Sequence, residues 1–338
     1  MEKKVTINDV AVRAGVAKST VSRVFSPGES VSDRTRRRVM EVARELGYEP
    51  DPLARALSSS RTGTIAIVVP NMESVHISQI IRGIMSVMTR EGYSIITVDT
   101  SENYGLEAPV IKPLSHQLVD GLINCYSAAD SEIARVAASK PVVCVGDRPD
   151  SYPADFLSID YRRGYRLMAA HLRSQGVRRL HMIQGRETPN TRHQGDLFVE
   201  QAREEGFSLD ETGVWYGNWT PFAGYDAMRR LLKEPDPPDA VVFASDFMAF
   251  GALRAVAEAG LQVPGDLRIC GLDDSLISKY TLPALTTLKF SPFRLGMEAA
   301  QMLLARFRDP EAGAMEKILP VELEIRDSSG PVRVRYQD

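Results

Sequence analysis

Residues 5–25, VTINDVAVRAGVAKSTVSRVF, have the pattern of two short helices joined by a tight turn. Thr6 is followed three residues later by an acidic side chain, which is typical of a capping box, and Gly15 is typical of a helix end. A second helix would follow over about residues 17–25 with its valines turned inward at helical spacing. Its outward face would carry polar and basic side chains, namely Lys18, Ser19, Ser22 and Arg23.

A third helix is predicted between Ser32, which can act as its N-cap, and Gly47, which marks its end. A cluster of arginines lies at its start: Arg34, Arg36, Arg37 and Arg38. Two helices joined by a short turn, with a third packed across them, make a helix-turn-helix. Lys18 and Arg23 could then donate to guanine edges or phosphates. The same side chains would also suit an ordinary solvated face, and helical pattern and charge alone leave the two interpretations evenly balanced.

The size and composition of the chain exclude several classes of protein. With 338 residues it fits two or three domains, and 43% hydrophobic and 25% charged residues are typical of globular proteins. No apolar run approaches the ~18 residues of a membrane span, and the start, MEKKVTINDV, lacks the apolar core of a signal peptide. We therefore expect a cytoplasmic protein.

Charge is distributed unevenly along the chain. Residues 1–61 hold 12 Lys and Arg against 8 Asp and Glu, a balance of +4, whereas the rest has a balance of −7. A basic head on an acidic body favours a polyanionic partner for the head. No cofactor or metal is expected, because neither cysteines nor histidines have ligand spacing. Buried thiols are predicted for Cys125, Cys144 and Cys270. Surface or hydrogen-bonded side chains are predicted for His76, His116, His171, His181 and His193.

The remainder of the chain alternates apolar runs with helical segments. Eight runs predict strands: 64–69, 93–98, 121–124, 141–145, 156–159, 180–183, 240–244 and 268–272. Strands that alternate with helices form parallel sheets, so the body is predicted to be α/β. About 270 residues are enough for two such sheets with a cleft at the carboxyl ends of their strands. Pro113 predicts a short or kinked helix before the third strand.

Three segments together resemble one known family. Residues 5–25, the VS at 31–32 and ELGYEPDPLARAL at 45–57 are similar to the head-piece of the lactose/galactose repressor (LacI/GalR) family of bacterial transcription regulators. The resemblance implies a helix-turn-helix domain over residues 1–49, a hinge helix or linker over 50–62, and a two-lobed body over 63–338. The body would have the fold of periplasmic sugar-binding proteins, with three crossovers between its lobes.

The family resemblance also implies how the head would contact DNA. Lys18 and Ser19 would contact bases in the major groove, and Leu57 of the hinge would wedge open a base step in the minor groove. Ala17 stands where the family often has a capping serine, so the cap of this helix is expected to be weaker. The full predicted set is Thr6, Ala17, Lys18, Ser19, Thr20, Ser22, Arg23, Ser32, Arg34, Arg55 and Leu57.

The resemblance places an effector site where strands of the body end. The predicted set is Asn71, Asp147, Arg192, Gln194, Trp219, Ser245, Asp246 and Asp273. Asp273 and Trp219 are the strongest candidates, since they could bind hydroxyls and stack on a ring. Ser245 departs from the family's usual asparagine, and the ligand-pairing place falls to either Arg192 or Gln194. Each of these side chains also has a purely structural interpretation, as a helix cap or a packing residue.

Three classes of protein fit the predicted fold: a DNA-binding regulator with a small-molecule effector, a binding protein or transporter component, and an α/β enzyme. A periplasmic binding protein needs a signal peptide and has no basic head, and an enzyme of this fold should show a motif such as G-x-S-x-G or a Walker loop, which is absent. The sequence therefore favours a DNA-binding regulator, most often a repressor, that binds a near-palindromic operator as a homodimer. Its effector is expected to be a sugar or sugar derivative, with a nucleobase or nucleoside as the alternative. The sign of the response stays open.

Overall fold

The computed structural model describes residues 5–25, 31–48, 61–100, 111–115, 119–126, 130–146 and 152–330. The chain divides into two compact units, Met1–Gly63 and Thr64–Asp338, which are called the head and the body. Most of the predicted hinge lies outside the described residues, so its role stays a prediction. Across the described residues, no helix is both long and apolar enough to cross a membrane.

The head contains three short helices in its described part: α1 Ile7–Ala14, α2 Lys18–Phe25 and α3 Asp33–Leu46. The predicted helix starts are confirmed, because Thr6 forms its capping box and the Ser32 side chain caps α3. Gly15 and Gly47 end α1 and α3 at φ angles of 69° and 65°, which favour glycine. A small core joins the helices: Val10, Ala11, Ala14, Val21, Val24, Val39 and Ala43.

The body alternates strands and helices, as predicted. Its elements in chain order are β1 Thr64–Val69, α4 Val75–Met88, β2 Ser94–Asp99, β3 Gly121–Cys125, α5 Asp130–Ala137, β4 Val142–Val145, β5 Asp155–Ile159, α6 Tyr161–Ser174, β6 Leu180–Gln184, α7 Pro189–Glu204, β7 Val214–Tyr216, α8 Pro221–Leu231, β8 Ala240–Phe243, α9 Asp246–Glu258, β9 Arg268–Leu272, β10 Thr286–Lys289, α10 Pro292–Arg308, β11 Glu316–Leu319 and β12 Glu322–Glu324. Residues Lys112–Ser115, which include Pro113, form a 3-10 turn, and most of the segment predicted as a short or kinked helix lies outside the described residues.

Two six-stranded sheets form the two lobes of the body. The first has the order β11-β5-β4-β3-β1-β2 and is parallel throughout. The second has the order β12-β10-β9-β8-β6-β7, with β12 antiparallel at one edge. Helices α4, α5 and α10 cover the first sheet, and α6 to α9 cover the second. Because both faces are covered, the inner strands are almost entirely apolar.

The chain crosses between the lobes three times in the described residues: between β5 and α6, between β10 and α10, and between β11 and β12. This confirms the predicted two-lobed body with three crossovers. All eight predicted strands are present to within a residue or two at each end. Strands β7, β10, β11 and β12 were missed, since each has only three or four residues and several are polar.

Candidate functional site

The first candidate site is the outward face of α2. Its side chains are arranged as predicted: Ala17, Lys18, Ser19 and Arg23 are exposed, Thr20 and Ser22 are partly buried, and Val21 and Val24 are buried. The carbonyl oxygen of Ala17 accepts the backbone N–H groups of Thr20 and Val21 at 2.9 and 3.2 Å, which starts the helix. Alanine offers no side-chain acceptor, so α2 begins without a side-chain cap at this position.

The other predicted DNA contacts of the head lie at helix starts. Thr6 and Ser32 are exposed, and their hydroxyl groups cap α1 and α3. Arg34 is exposed on the first turn of α3. Arg36 instead donates to the carbonyl oxygen of Val24 at 2.9 Å, so it holds the end of α2 against α3. The two hinge residues of the predicted set, Arg55 and Leu57, lie outside the described residues.

The second candidate site is a cavity between the two lobes of the body, with a volume of about 1000 Å³ including its open mouth. The carboxyl ends of strands from both sheets surround it, as expected for parallel sheets. Asn71 follows β1 and Tyr126 follows β3 in the first lobe, whereas Ser245 follows β8 and Asp273 follows β9 in the second. A ligand in this cavity would therefore contact both lobes at once.

Asp273 is the carboxylate that the structure places in the cavity wall. Its residue is only 9% exposed, and its Oδ1 lies 3.3 Å from Nδ1 of His76 in the opposite lobe. Burial and the neighbouring Asp246 carboxylate raise the pKa of Asp273 well above its ordinary value. Its φ angle of 124° is rare for a residue with a side chain, and Tyr126, which also lines the cavity, has φ 58°. Such strain is typical of functional sites.

Asp246 does not line the cavity, although the sequence predicted an effector contact there. It is completely buried, and its carboxylate accepts hydrogen bonds from Thr287 Oγ1, Ser278 Oγ and the Ser275 backbone at 2.6, 2.5 and 2.8 Å. Burial raises the pKa of Asp246 to about 6. The physical reason for its position is that α9 turns this side chain back toward the β9–β10 connection, where it fixes the loop that carries Asp273.

Arg192 and Gln194, the two candidates for the ligand-pairing place, lie on different faces of α7. Gln194 is 7% exposed and lines the cavity. Arg192 is outside the cavity wall, and its guanidinium pairs with Glu187 at 3.0 Å on the surface. A cation that the sequence did not single out, Arg186, lines the cavity instead. Arg186, and not Arg192, is therefore the arginine placed where it could pair with a ligand.

Aromatic rings form much of the cavity wall, and glycines make room for two of them. Trp219 lines the cavity as predicted, with its ring directly over Gly185, where a Cβ atom would overlap it. Tyr126 covers Gly146 in the same way. Tyr161 and Phe290, at two of the crossovers, complete the wall and were missed by the sequence analysis.

The remaining predicted residues lie as follows. Asn71 and Ser245 line the cavity, where the Asn71 side chain accepts the backbone N–H of Glu73 and the Ser245 hydroxyl caps α9. Asp147 lies outside the described residues. His76 was predicted to be a surface or hydrogen-bonded side chain; it is mostly buried, and its Nδ1 makes no hydrogen bond of regular geometry in the described part of the chain but lies 3.3 Å from Asp273 Oδ1. In that same part, no group of His, Cys, Asp and Glu side chains could hold a metal ion.

Comparisons with known proteins agree with this geometry. The model of bacterial regulatory proteins of the lacI family matches residues 6–51, and that of a periplasmic binding protein-like domain matches residues 169–329. The HTH-type transcriptional repressor CytR of Escherichia coli is 32% identical over 331 residues, which cover 97% of each chain.

Two solved structures extend the similarity to the whole fold. The lac repressor dimer bound to operator and the anti-inducer ONPF is 29% identical and superposes with a TM-score of 0.83 over 97% of this chain and 100% of that one. The complex of the transcriptional regulator CelR with cellobiose is 29% identical, with a TM-score of 0.72 over 96% and 100%. The chain belongs to the lacI family of bacterial regulatory proteins. It is a DNA-binding transcriptional regulator and not an enzyme.

Proposed function

We propose that this protein is a repressor that binds a near-palindromic operator as a homodimer and responds to a small molecule in the interlobe cavity. The observation that carries the proposal is the presence in one chain of an exposed polar recognition face on α2 and a two-lobed body with a cavity. Such a protein acts on chromosomal DNA, and so in the cytoplasm. The lac repressor structure named above is a dimer bound to operator, which supports the same assembly here.

Base reading is assigned to Lys18 and Ser19 on the first turn of α2. Both side chains are exposed, and their helix is held by Val21 and Val24 against the core of the head. A lysine can donate to the O6 and N7 acceptors of guanine in the major groove. Arg23, exposed near the end of the same helix, is assigned to bases or phosphates.

Exposed apolar side chains on the body support the homodimer. Leu282 is 95% exposed, and Leu276 and Tyr280 in the same connection between β9 and β10 are exposed as well. In the first lobe, Met85 and Ile96 are exposed on α4 and β2. Several exposed apolar side chains in one connection, as in residues 276–282, are typical of protein interfaces. A symmetric dimer would give two copies of the head a fixed spacing, which a palindromic operator matches.

A sugar or sugar derivative is the proposed effector. The Asp273 carboxyl can bind ligand hydroxyls, Gln194 supplies an amide, and Trp219 offers a ring face for the C–H groups of a sugar. The CelR complex contains cellobiose, which supports this class. A nucleobase or nucleoside is the second candidate, because the rings of Tyr126, Tyr161, Trp219 and Phe290 also suit a planar ligand.

Coupling between the two functions would follow from the position of the cavity. A ligand that contacts both lobes changes their relative orientation, and it can shift operator affinity only by the difference in its affinity for the two orientations. Coupling free energies of about 1–3 kcal/mol are typical, equivalent to about 5- to 150-fold in operator affinity. Both induction and corepression are compatible with this arrangement.

The proposal is tested in two stages. Selection of binding sites from random duplex DNA should enrich a near-palindrome; failure to enrich any sequence would contradict the regulator assignment. A thermal-shift screen against sugars, sugar phosphates, nucleobases and nucleosides should then identify the effector, since a ligand at about 100 times its Kd adds about 2.7 kcal/mol to the native state. Asp273→Ala should abolish the response of operator binding to that ligand while leaving operator binding itself intact.

A further inference from the structure

The side chain of His76 makes a contact that crosses the cavity. His76 lies on the first turn of α4 in the first lobe, and its ring packs against Tyr126 and Phe290, each at a centroid distance of 5.5 Å. Its Nδ1 lies 3.3 Å from Oδ1 of Asp273, which follows β9 in the second lobe. The two side chains are only 13% and 11% exposed, so water reaches this contact poorly.

The Asp273 carboxyl accepts hydrogen bonds from the Ser245 side chain and the Asp246 backbone N–H, and it also faces His76. The Nδ1 atom is fully buried and makes no hydrogen bond of regular geometry in the described part of the chain, so its polar contact there is the 3.3 Å approach to Asp273 Oδ1. Burial lowers the pKa of His76 to about 4 and, together with Asp246, raises the pKa of Asp273. At neutral pH the His76 ring is therefore neutral, and it can share a hydrogen with the Asp273 carboxyl through Nδ1.

We propose that His76 is a specificity-determining residue of the cavity: it binds the Asp273 carboxyl across the two lobes, and a ligand enters by replacing it. This inference rests on the proposed function, because His76 and the proposed effector would compete for the same Asp273 carboxyl. A ligand that replaces His76 must supply a hydrogen-bonding group to Asp273 and an apolar ring face toward Tyr126 and Phe290. Sugars and nucleosides both combine these features, whereas a ligand without the polar group leaves Asp273 with His76.

The same contact links ligand binding to the arrangement of the lobes. The contact joins α4 of the first lobe to the β9 end of the second, so its loss removes one of the interactions that hold the two lobes in their present orientation. The other titratable groups in the described cavity wall are Tyr126, Tyr161 and Arg186, and Asp246 lies behind Asp273.

The first test needs no ligand. Nitrogen-15 NMR of the full-length protein, labelled at its five histidines, would follow each imidazole between pH 5.5 and 8, with His76→Phe identifying the His76 signals. We expect a neutral His76 ring whose Nδ1 shift changes in Asp273→Asn, while the exposed His193 is unaffected by that substitution. A His76 ring that titrates over this range, or an Nδ1 signal that ignores Asp273→Asn, would overturn the proposal. Neither result depends on operator binding, so it separates this inference from the proposed function.

The second test measures competition directly. Trp215→Phe leaves Trp219 as the single tryptophan, placed in the cavity wall, and its fluorescence reports binding of cellobiose, galactose, adenosine or cytidine as probes. His76→Phe keeps a ring but removes the nitrogen, and should tighten binding of the responding probe about tenfold, as expected for one lost competing hydrogen bond. His76→Asn, which keeps a polar atom near the position of Nδ1, should restore weaker binding, and His193→Gln serves as the matched control. Equal affinities in the wild type, His76→Phe and His76→Asn would contradict the proposal; if no probe binds, the NMR result decides.

Discussion

Replacing Asp246 with asparagine should change how the stability of the body depends on pH. The carboxylate is completely buried behind the cavity, where it receives three hydrogen bonds from the β9–β10 connection and the start of β10. Burial raises its pKa from 3.8 to about 6. The folded protein therefore holds this proton more tightly than the unfolded chain does, and ionising the group above pH 6 works against the fold.

The magnitude follows from the difference between the two pKa values. One pKa unit corresponds to about 1.36 kcal/mol, so the shift of Asp246 is worth about 3 kcal/mol. This stabilisation is fully present below the pKa of Asp246 in the unfolded chain and is lost as the pH rises through its pKa in the folded protein. About 2 kcal/mol of the stabilisation is lost between roughly pH 4.5 and 7.5. Asparagine does not titrate, so Asp246→Asn should escape that loss. Removing the Asp246 charge also makes Asp273 easier to ionise, which acts in the same direction.

Urea unfolding followed by tryptophan fluorescence would measure the effect, because Trp215 and Trp219 both belong to the second lobe. Asparagine places an amide N–H₂ group, which cannot accept hydrogen bonds, near groups that donate them. The resulting loss in the free energy of unfolding is the same at every pH. The quantity to compare is therefore the free energy of unfolding of the mutant minus that of the wild type. This difference should rise by about 2 kcal/mol between about pH 4.5 and 7.5. The exposed Asp236→Asn is the matched control. Parallel pH profiles for the wild type and Asp246→Asn would refute the reasoning.

Three further substitutions test other parts of the molecule. Lys18→Ala should cost about 1–3 kcal/mol at particular base pairs in operator selection, whereas uniform weakening over all sequences would assign it to a phosphate. Gly185→Ala should displace the Trp219 ring and weaken ligand binding with operator binding unchanged; an unchanged Kd would count against the stacking role. Asp155→Ala should lower the free energy of unfolding by about 3–5 kcal/mol, because it removes the only carboxylate that pairs with the Arg306 guanidinium in the described residues, at 2.6 Å, and leaves that charge with backbone carbonyl acceptors alone; a loss below about 1 kcal/mol in urea titrations would contradict this.

The helices of the head could be predicted from the sequence because the signals that define them are local. The capping box at Thr6 and the left-handed glycines at 15 and 47 act within a few residues of the helix ends they set. The inward valines of α2 follow helical spacing, so the exposed face that carries Lys18 was determined by the same pattern. Only the function of that face needed the family resemblance, since a solvated basic helix has the same periodicity.

The cavity was predicted less well, because its wall depends on contacts between distant segments. Asp246 and Asp273 both follow strands, and only the β9–β10 connection determines that one is enclosed and the other faces the cavity. Arg192 and Gln194 are two positions apart on α7, which rotates their side chains by about 200°, so one faces solvent when the other faces inward. His76 could have been suspected from its place just after β1, at the same end of the sheet as the other wall residues.

Within each lobe, a pair of helices packs with its backbones in direct contact, and this affects how ligand binding can be transmitted. In the first lobe, a Cβ atom at Gly83 would overlap the Phe293 carbonyl of α10, and one at Gly296 would overlap that of Ile80 in α4. In the second lobe, Gly224 and Gly251 place α8 against α9 in the same reciprocal way. Helices this close cannot slide without steric overlap, so each lobe should move as a rigid body. The free energy of ligand binding must then act on the crossovers, where Tyr161 and Phe290 already line the cavity.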